Sequence, residues 1–122
     1  MKIAVAATGD NLEAPCDPRF GRSTYFLIVD SETMAFSVIP NNAAAQGSGA
    51  GIAAAQLVSD AGAEAVIAGN FGPNAHQALD AGGIQTYGGA SGTVREAVEA
   101  FRAGQLELLA GPNAPAKAGM KR

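Results

Sequence analysis

The sequence predicts an α/β fold in which one mixed sheet carries helices on its faces. β-like and helix-like runs alternate in the order β-β-β-α-β-α-β-α. Three glycine-rich turns, Gly47–Gly51, Gly69–Asn74 and Gly88–Thr93, each stand between a β-like run and a helical one. The chain has 122 residues, of which 48% are apolar and 16% charged. This is enough apolar material for one domain, which we assign to residues 1–110 with a tail over 111–122.

The first third of the chain predicts three strands. Lys2–Ala7 is one β run, Tyr25–Val29 is a dense apolar run, and Met34–Ile39 returns antiparallel as a hairpin that Pro40 ends. Between the first two runs, residues 9–23 contain two prolines and two glycines, which predicts a long irregular loop. Loops of this length in compact domains are usually functional or mobile.

The rest of the chain alternates helices and strands. Helices are predicted over Ala50–Ala61, between Gly72 and Gly82, and from Thr93 to Gly104, with strands over Ala65–Ala68 and Ile84–Tyr87. The third helix is the best marked, because Thr93-Val94-Arg95-Glu96 has the capping-box pattern. Leu106–Leu108 fits a further short edge strand, but five runs carry a clear strand pattern, so we predict a five-stranded sheet.

This order brings the turns to one edge of the sheet. If the first three strands form an antiparallel meander, right-handed crossovers make the third, fourth and fifth strands parallel to the first. The loop Cys16–Arg22 and the three glycine-rich turns then open at the carboxyl edge, where α/β proteins bind ligands. Backbone N–H groups at helix starts carry partial positive charge, so we predict an anion site there.

Two patterns at this edge have more specific interpretations. Gly47–Gly51 suggests a dinucleotide turn, but its third glycine comes one residue early, and Glu64 begins its strand where a ribose-binding acid should end it. A flexible turn that lets the first helix lie close to the sheet, or a general anion-binding turn, fits better. Cys16 and Arg22 have the spacing of phosphatase and arsenate-reductase loops. However, a strand follows here, where such loops enter a helix.

The chain has a single cysteine, Cys16, and a single histidine, His76. It therefore cannot form an internal disulfide or a metal site closed by several cysteines. Thiolates suit iron, copper and molybdenum–sulfur chemistry, which makes Cys16 a candidate ligand, with a small buried thiol as the alternative. For His76 a half-exposed position on the second helix is the favoured interpretation. Arg19 and Arg22 either clamp the loop by pairing with acids or form a positive lip over the anion site.

Composition argues against two classes of partner. The formal charge of −3 lacks the clustered lysines and arginines that non-specific nucleic-acid binding needs. No apolar run reaches 18 residues, and the first residues have no signal-peptide layout. We therefore expect a cytoplasmic protein that binds neither nucleic acid nor membrane.

Three stretches resemble the dinitrogenase iron–molybdenum cofactor biosynthesis family. They are Asp17–Phe26, Ala68–Ala75, and Gly82-Gly83-Ile84 ahead of Thr93-Val94. The Arg-Phe-Gly-Arg run followed by Tyr25-Phe26 is the most specific part, and the resemblance covers about residues 1–110. Members of this family are small carrier proteins, and the same domain ends the radical enzyme that builds the cofactor precursor.

The resemblance implies a ribonuclease-H-like three-layer fold without nuclease chemistry, and non-catalytic binding or transfer of a metal–sulfur cluster. The implied cofactor is an iron–molybdenum or other metal–sulfur cluster, and the implied partners are the proteins that donate and accept it. Such clusters are anionic, so helix N-termini and Arg22 suit them. Many members carry a histidine in the loop after the third strand, where this chain has Gln46. Cys16 or wholly non-covalent capture is then left to hold the cluster.

The candidate site has a metal ligand, Cys16, and a set of cluster-binding residues. That set is Arg19, Phe20, Gly21, Arg22, Gln46, Gly47, Ser48, Gly49, Gly69, Asn70, Phe71, Gly72, Asn74, Gly89, Ser91 and Thr93. Two competing interpretations remain open. One is a Cys16-dependent phosphatase or arsenate reductase, and the other is an adaptor that docks on a partner protein and binds no small ligand.

Overall fold

A six-stranded mixed sheet forms the centre of the fold, and three helices pack on it. The computed structural model describes residues 1–42 and 49–111. The elements are β1 (Lys2–Ala7), β2 (Tyr25–Asp30), β3 (Phe36–Pro40), α1 (Ala50–Asp60), β4 (Ala65–Ile67), α2 (Pro73–Ala81), β5 (Gln85–Gly88), α3 (Val94–Arg102) and β6 (Glu107–Leu108). Over these residues, no helix is long and apolar enough to cross a membrane.

The strand directions agree with the predicted topology. The sheet order is β3-β2-β1-β4-β5-β6, in which β1, β2 and β3 form an antiparallel meander. β4 pairs parallel with β1, and β5 pairs parallel with β4. The carboxyl ends of β1, β3, β4 and β5 therefore meet at one edge of the sheet.

The predicted number of strands was wrong by one. β6 pairs antiparallel with β5, with Leu108 opposite Tyr87 and Glu107 opposite Gly88. A strand of two residues is too short to show a period of two, so it is defined by its neighbour rather than by its own pattern. The ribonuclease-H-like label stays a prediction.

The start of β3 also differs from the prediction, which placed it at Met34. The Asp30 carboxylate accepts hydrogen bonds from the backbone N–H groups of Glu32 and Thr33, and Met34 has a φ of 66°. These residues therefore form the turn of the hairpin, and the strand begins at Phe36.

Each face of the sheet has its own apolar cluster. Alternate residues of β1 point to opposite faces, as a strand requires. Ala4 and Ala6 pack with α1 and α2 in one cluster, whereas Ile3 and Val5 pack with α3 in the other. The carboxyl edge consequently has an α1/α2 side and an α3 side, and the two differ in chemistry.

Candidate functional site

A cavity of about 400 Å³ opens at the carboxyl edge on the α1/α2 side. It is lined by Arg19, Phe20, Gly21, Arg22, Ala50, Gly51, Asn70, Gly72, Pro73, Asn74 and Ala75. The charged residues of this lining are two arginines, and two asparagines are among its polar residues. The cavity thus combines positive charge with amide hydrogen-bonding groups, which suits an anionic ligand.

Phe20 anchors the arginine loop, by which we mean residues 19–22. Its side chain is buried, and its ring centroid lies 5.1 Å from that of Phe26 and 5.3 Å from that of Phe71. Burial of an aromatic ring on this scale is strongly stabilising. The loop is therefore held to the core at Phe20, while Arg19 and Arg22 on either side remain exposed.

The turn between β4 and α2 holds the arginine loop from the other direction. The backbone N–H of Asn70 donates to the carbonyl of Pro18 at 2.7 Å, and that of Phe20 donates to the carbonyl of Asn70 at 3.3 Å. A side chain at Gly69 would lie only 2.7 Å from the Cα of Pro18. Gly69 is thus required for close packing of the two segments, and it does not line the cavity.

Asp17 is a buried acid beneath the loop. It is 3% exposed, and its Oδ1 accepts a hydrogen bond of 2.9 Å from the backbone N–H of Arg19. The Nε of Arg19 lies 3.7 Å from the same oxygen. This supports the clamp interpretation for Arg19, part of whose charge is already balanced by Asp17. Because the Arg19 side chain is 64% exposed, it also reaches the cavity.

The arginine loop, α1 and α2 meet through glycine backbone. A methyl group at Gly21 would lie 3.1 Å from the Cα and N of Gly51, and one at Gly51 would lie 3.1 Å from the Cβ of Ala75. These contacts are tighter than ordinary packing allows. The absence of side chains at Gly21 and Gly51 therefore brings the first turns of both helices next to the arginines.

The first turns of α1 and α2 begin at glycines. Gly49 and Gly72 are their N-cap residues, and no side chain of the described residues caps either helix start. Pro73 has no N–H, so Asn74 and Ala75 contribute the N–H groups of the first turn of α2, before His76 donates to the carbonyl of Gly72 at 3.0 Å. Both first turns line the cavity, with their positive dipole ends toward it.

The start of α3 is different, because the chain itself satisfies its N–H groups. Thr93 and Glu96 form a complete capping box. The backbone N–H groups of Val94 and Arg95 donate to the carbonyls of Ala14 and Leu12, both at 2.9 Å. Gly89, Ser91 and Thr93 do not line the cavity. The predicted role of this third turn as an anion donor therefore has no geometric support.

Cys16 lies on the α3 side and does not line the cavity. Its Sγ donates a hydrogen bond of 3.5 Å to the carbonyl of Thr93. Burial, with a smaller contribution from the negative charge of Glu96, raises the pKa of the Cys16 thiol from 9.0 to about 11. A thiol of this kind is protonated at neutral pH, which argues against Cys16 as a nucleophile.

The other residues of the predicted site lie next to the cavity, in a separate groove or outside the described residues. Gly49 precedes the cavity-lining residue Ala50, and Phe71 is buried behind Phe20. His76 is half-buried and lines a separate groove with Asp80. Gln46, Gly47 and Ser48 lie outside the described residues. Among residues 1–42 and 49–111, no group of three or more histidine, cysteine, aspartate and glutamate side chains could hold a metal ion.

Sequence reasoning missed five residues of this site. Ala50, Gly51, Pro73 and Ala75 line the cavity, and Asn41 supports the loop from behind. Gly51 belonged to the motif for which we left open a flexible turn and a general anion-binding turn, and its close contact with Ala75 explains the glycine there. Ala50, Pro73 and Ala75 line the cavity because of where their backbone lies, and residue type alone does not predict that position.

The fold and the cavity define a small mixed α/β protein with a cationic pocket at the carboxyl edge of its sheet. A family model described as dinitrogenase iron-molybdenum cofactor matches residues 1–104. The chain therefore belongs to the dinitrogenase iron–molybdenum cofactor family. An uncharacterized protein from Methanocaldococcus jannaschii is 32% identical over 110 residues, covering 88% of this chain and 90% of that protein.

Two solved structures extend this assignment. The apo form of the orange protein from Desulfovibrio gigas is 43% identical, with a TM-score of 0.89 over 93% of this chain and 96% of that one. A protein from Thermotoga described as a putative NifB protein is 35% identical, with a TM-score of 0.79 over 97% and 98% of the two chains. The family and these neighbours together point to a role associated with metal clusters.

Proposed function

We propose that this protein is a non-catalytic carrier that binds an anionic metal–sulfur cluster in the cavity on the α1/α2 side. The cluster is cargo, received from one protein and delivered to another during metallocluster assembly in the cytoplasm. An iron–molybdenum precursor or a related iron- or molybdenum-containing cluster is the expected class.

One observation carries the proposal: two helix starts that begin at glycines, with no side-chain cap from residues 1–42 or 49–111, line the same cavity as two arginines. Each helix start has N–H groups and a positive dipole end that stabilise negative charge. Arg19 and Arg22 add full charges. The net charge of −3 is then no obstacle, because the positive groups are concentrated where the anion would sit.

The proposed binding is electrostatic and hydrogen-bonded, without a set of protein ligands to the metal. Coordination by Cys16, predicted from the sequence, stays a separate prediction on which the proposed binding does not depend. It would require loss of a proton from a thiol with a pKa of about 11 and a path from the α3 side to the cavity. A carrier also has to release its cargo, which is simpler when no metal–thiolate bond must break.

The test is retention of a coloured anion by protein purified without oxygen. Tetrathiomolybdate is a suitable probe, as is a mixture of ferrous iron, molybdate and sulfide. After desalting, wild type should retain molybdenum and sulfide stoichiometrically with visible sulfide-to-metal absorption. The double variant Arg19→Gln/Arg22→Gln should retain much less, whereas Cys16→Ala should retain as much as wild type.

The matched control is Arg95→Gln/Arg102→Gln, which removes two positive charges from α3. It should retain the probe as wild type does. Equal loss in both double variants would mean that net charge alone controls retention, and the cavity would have no special role. Wild type that stays colourless with every probe would contradict the carrier function and favour an adaptor that docks on partner proteins.

A further inference from the structure

We propose that Asn41 is a positioning residue for this site and fixes the direction in which Arg22 enters the cavity. This inference rests on the proposed function and deepens it. Asn41 follows β3 and is itself absent from the cavity lining. It acts on the arginine loop through hydrogen bonds to backbone carbonyls, without contributing to the cavity wall.

The Asn41 side chain makes two hydrogen bonds to the loop. Its Nδ2 donates to the carbonyl of Gly21 at 3.3 Å and to the carbonyl of Ser23 at 2.8 Å. Both partners are acceptors, so the amide must turn its NH₂ group, and not its oxygen, toward the loop. Asn41 is 7% exposed, which shields these bonds from water and raises the cost of breaking them.

The two acceptors flank Arg22. The carbonyl of Gly21 belongs to the peptide unit before Arg22, and the carbonyl of Ser23 to the unit after Ser23, so one amide group holds the backbone at both ends of the Arg22–Ser23 pair. The unit between them is held separately, because the backbone N–H of Ser23 donates to the carbonyl of Phe20 at 3.5 Å. Further contacts reinforce both neighbours. Gly21 packs on the backbone of Gly51, and the Ser23 hydroxyl donates to the carbonyl of Phe20 at 3.2 Å. Arg22 is thus an exposed cation on a rigid backbone, which lowers the entropy lost when it meets a ligand.

Asn41 is in turn fixed to the sheet. Its backbone N–H donates to the carbonyl of Thr24 at 3.0 Å, immediately beyond the last residue pair of β2 and β3. The amide group that holds the arginine loop is therefore fixed relative to the carboxyl end of β3. A side chain with only acceptors at position 41 could not make these bonds.

The test is a double-mutant cycle on binding of tetrathiomolybdate to the full chain, measured anaerobically by the visible spectrum. Asn41→Asp keeps the shape of the side chain but turns carboxylate oxygens toward two carbonyl oxygens. Asn42→Asp is the matched control, because it adds the same charge at the neighbouring exposed asparagine. Relative to Asn42→Asp, we expect Asn41→Asp to weaken binding about tenfold.

The cycle is completed in the Arg22→Gln background. If Asn41 acts through Arg22, Asn41→Asp should weaken binding less than about twofold once the guanidinium is gone. An equal loss in both backgrounds would overturn the positioning role and leave the proposed function intact. Arg22→Gln that binds as wild type does would instead contradict the part of the proposed function assigned to Arg22, and the positioning role with it.

Folding is monitored in parallel by urea unfolding. Should Asn41→Asp fail to fold, Asn41→Ser carries the same cycle, because it adds no charge and keeps one hydroxyl donor. If Asn41 has only a structural role, Asn41→Asp and Asn41→Ser should each lower the affinity by the same factor with and without Arg22. That outcome contradicts the inference with whichever variant is used.

Discussion

The α1/α2 side and the α3 side of the carboxyl edge begin from the same sequence feature and end in different chemistry. On both sides a glycine-rich segment leads into a helix. On the α3 side, Thr93, Glu96 and the carbonyls of residues 12 and 14 satisfy the first N–H groups. On the α1/α2 side both helices begin at glycines, no side chain in the part of the chain that the structure describes caps them, and two arginines share the cavity.

This difference shows what makes a helix start available to a ligand. A helix start gives a site only if the chain leaves its donors accessible and keeps them close together. Glycines at positions 21 and 51 bring two such starts beside the arginines. On the α3 side, the long loop after β1 folds over the helix start and closes it.

The largest expected effect is the low reactivity of Cys16 on the closed α3 side. Because its pKa is raised from 9.0 to about 11, its thiolate fraction at pH 8 should be on the order of a hundredfold below that of a free cysteine. The measurement is the rate of alkylation by iodoacetamide against pH. The rate in native protein should keep rising toward pH 11, whereas urea-unfolded protein should level off near pH 9.

The same pKa shift affects stability with a defined sign. The folded state binds the Cys16 proton more tightly, so this stabilisation is complete below pH 9 and is lost as pH rises toward 11. The free energy of unfolding should fall over this range by more in wild type than in Cys16→Ser, in which other titrating groups are unchanged. Identical pH dependence in the two proteins would contradict the shift.

Gly51→Val should be the most destabilising of the substitutions considered on the open side. The added side chain would push against Ala75, which a Cβ at position 51 already approaches to 3.1 Å. We expect a loss of about 1–3 kcal/mol in the free energy of unfolding and weaker binding of tetrathiomolybdate. Gly111→Val is the control, because it adds the same side chain where a Cβ meets no described residue within 4 Å, and it should change stability by less than about 0.5 kcal/mol.

Gly72→Asp should close the start of α2 as the start of α3 is closed. The backbone at Gly72, with φ −75° and ψ 168°, suits an N-cap aspartate, and a Cβ there lies within 4 Å of none of residues 1–42 and 49–111 beyond its chain neighbours. We expect unchanged or slightly higher stability with binding weakened about tenfold, because the carboxylate competes with the anion. Ser91→Asp adds the same charge on the α3 side and should leave binding near the wild-type value.

Thr93→Ala should have the smallest effect and separate stability from binding. Loss of the capping box should lower the free energy of unfolding by about 1 kcal/mol. Binding should stay unchanged, because these N–H groups face the chain rather than the cavity. A lower free energy of unfolding in urea with unchanged affinity for tetrathiomolybdate would support a purely structural role for the α3 start. Parallel loss of both would show that the α3 start belongs to the site.

Much of the architecture could be predicted from local pattern. The capping box of α3 was readable from Thr93 and Glu96, and the directions of five strands followed from connection rules. That the first N–H groups of α3 are satisfied by the chain could not be predicted from the sequence, because the acceptors for Val94 and Arg95 lie about 80 residues earlier. Asn41 and Asn42 are the same residue type side by side, and only tertiary contacts distinguish them.

The most direct measurement is a titration of ¹⁵N-labelled protein with tetrathiomolybdate, following backbone amide shifts by NMR without oxygen. If the anion binds on the α1/α2 side, the largest shifts will occur at Gly51, Asn74 and Ala75 and at the arginine loop, with Thr93, Val94 and Arg95 nearly unchanged. The largest shifts at Thr93 to Arg95 and Cys16 would contradict it, since they would place the anion on the α3 side of the sheet.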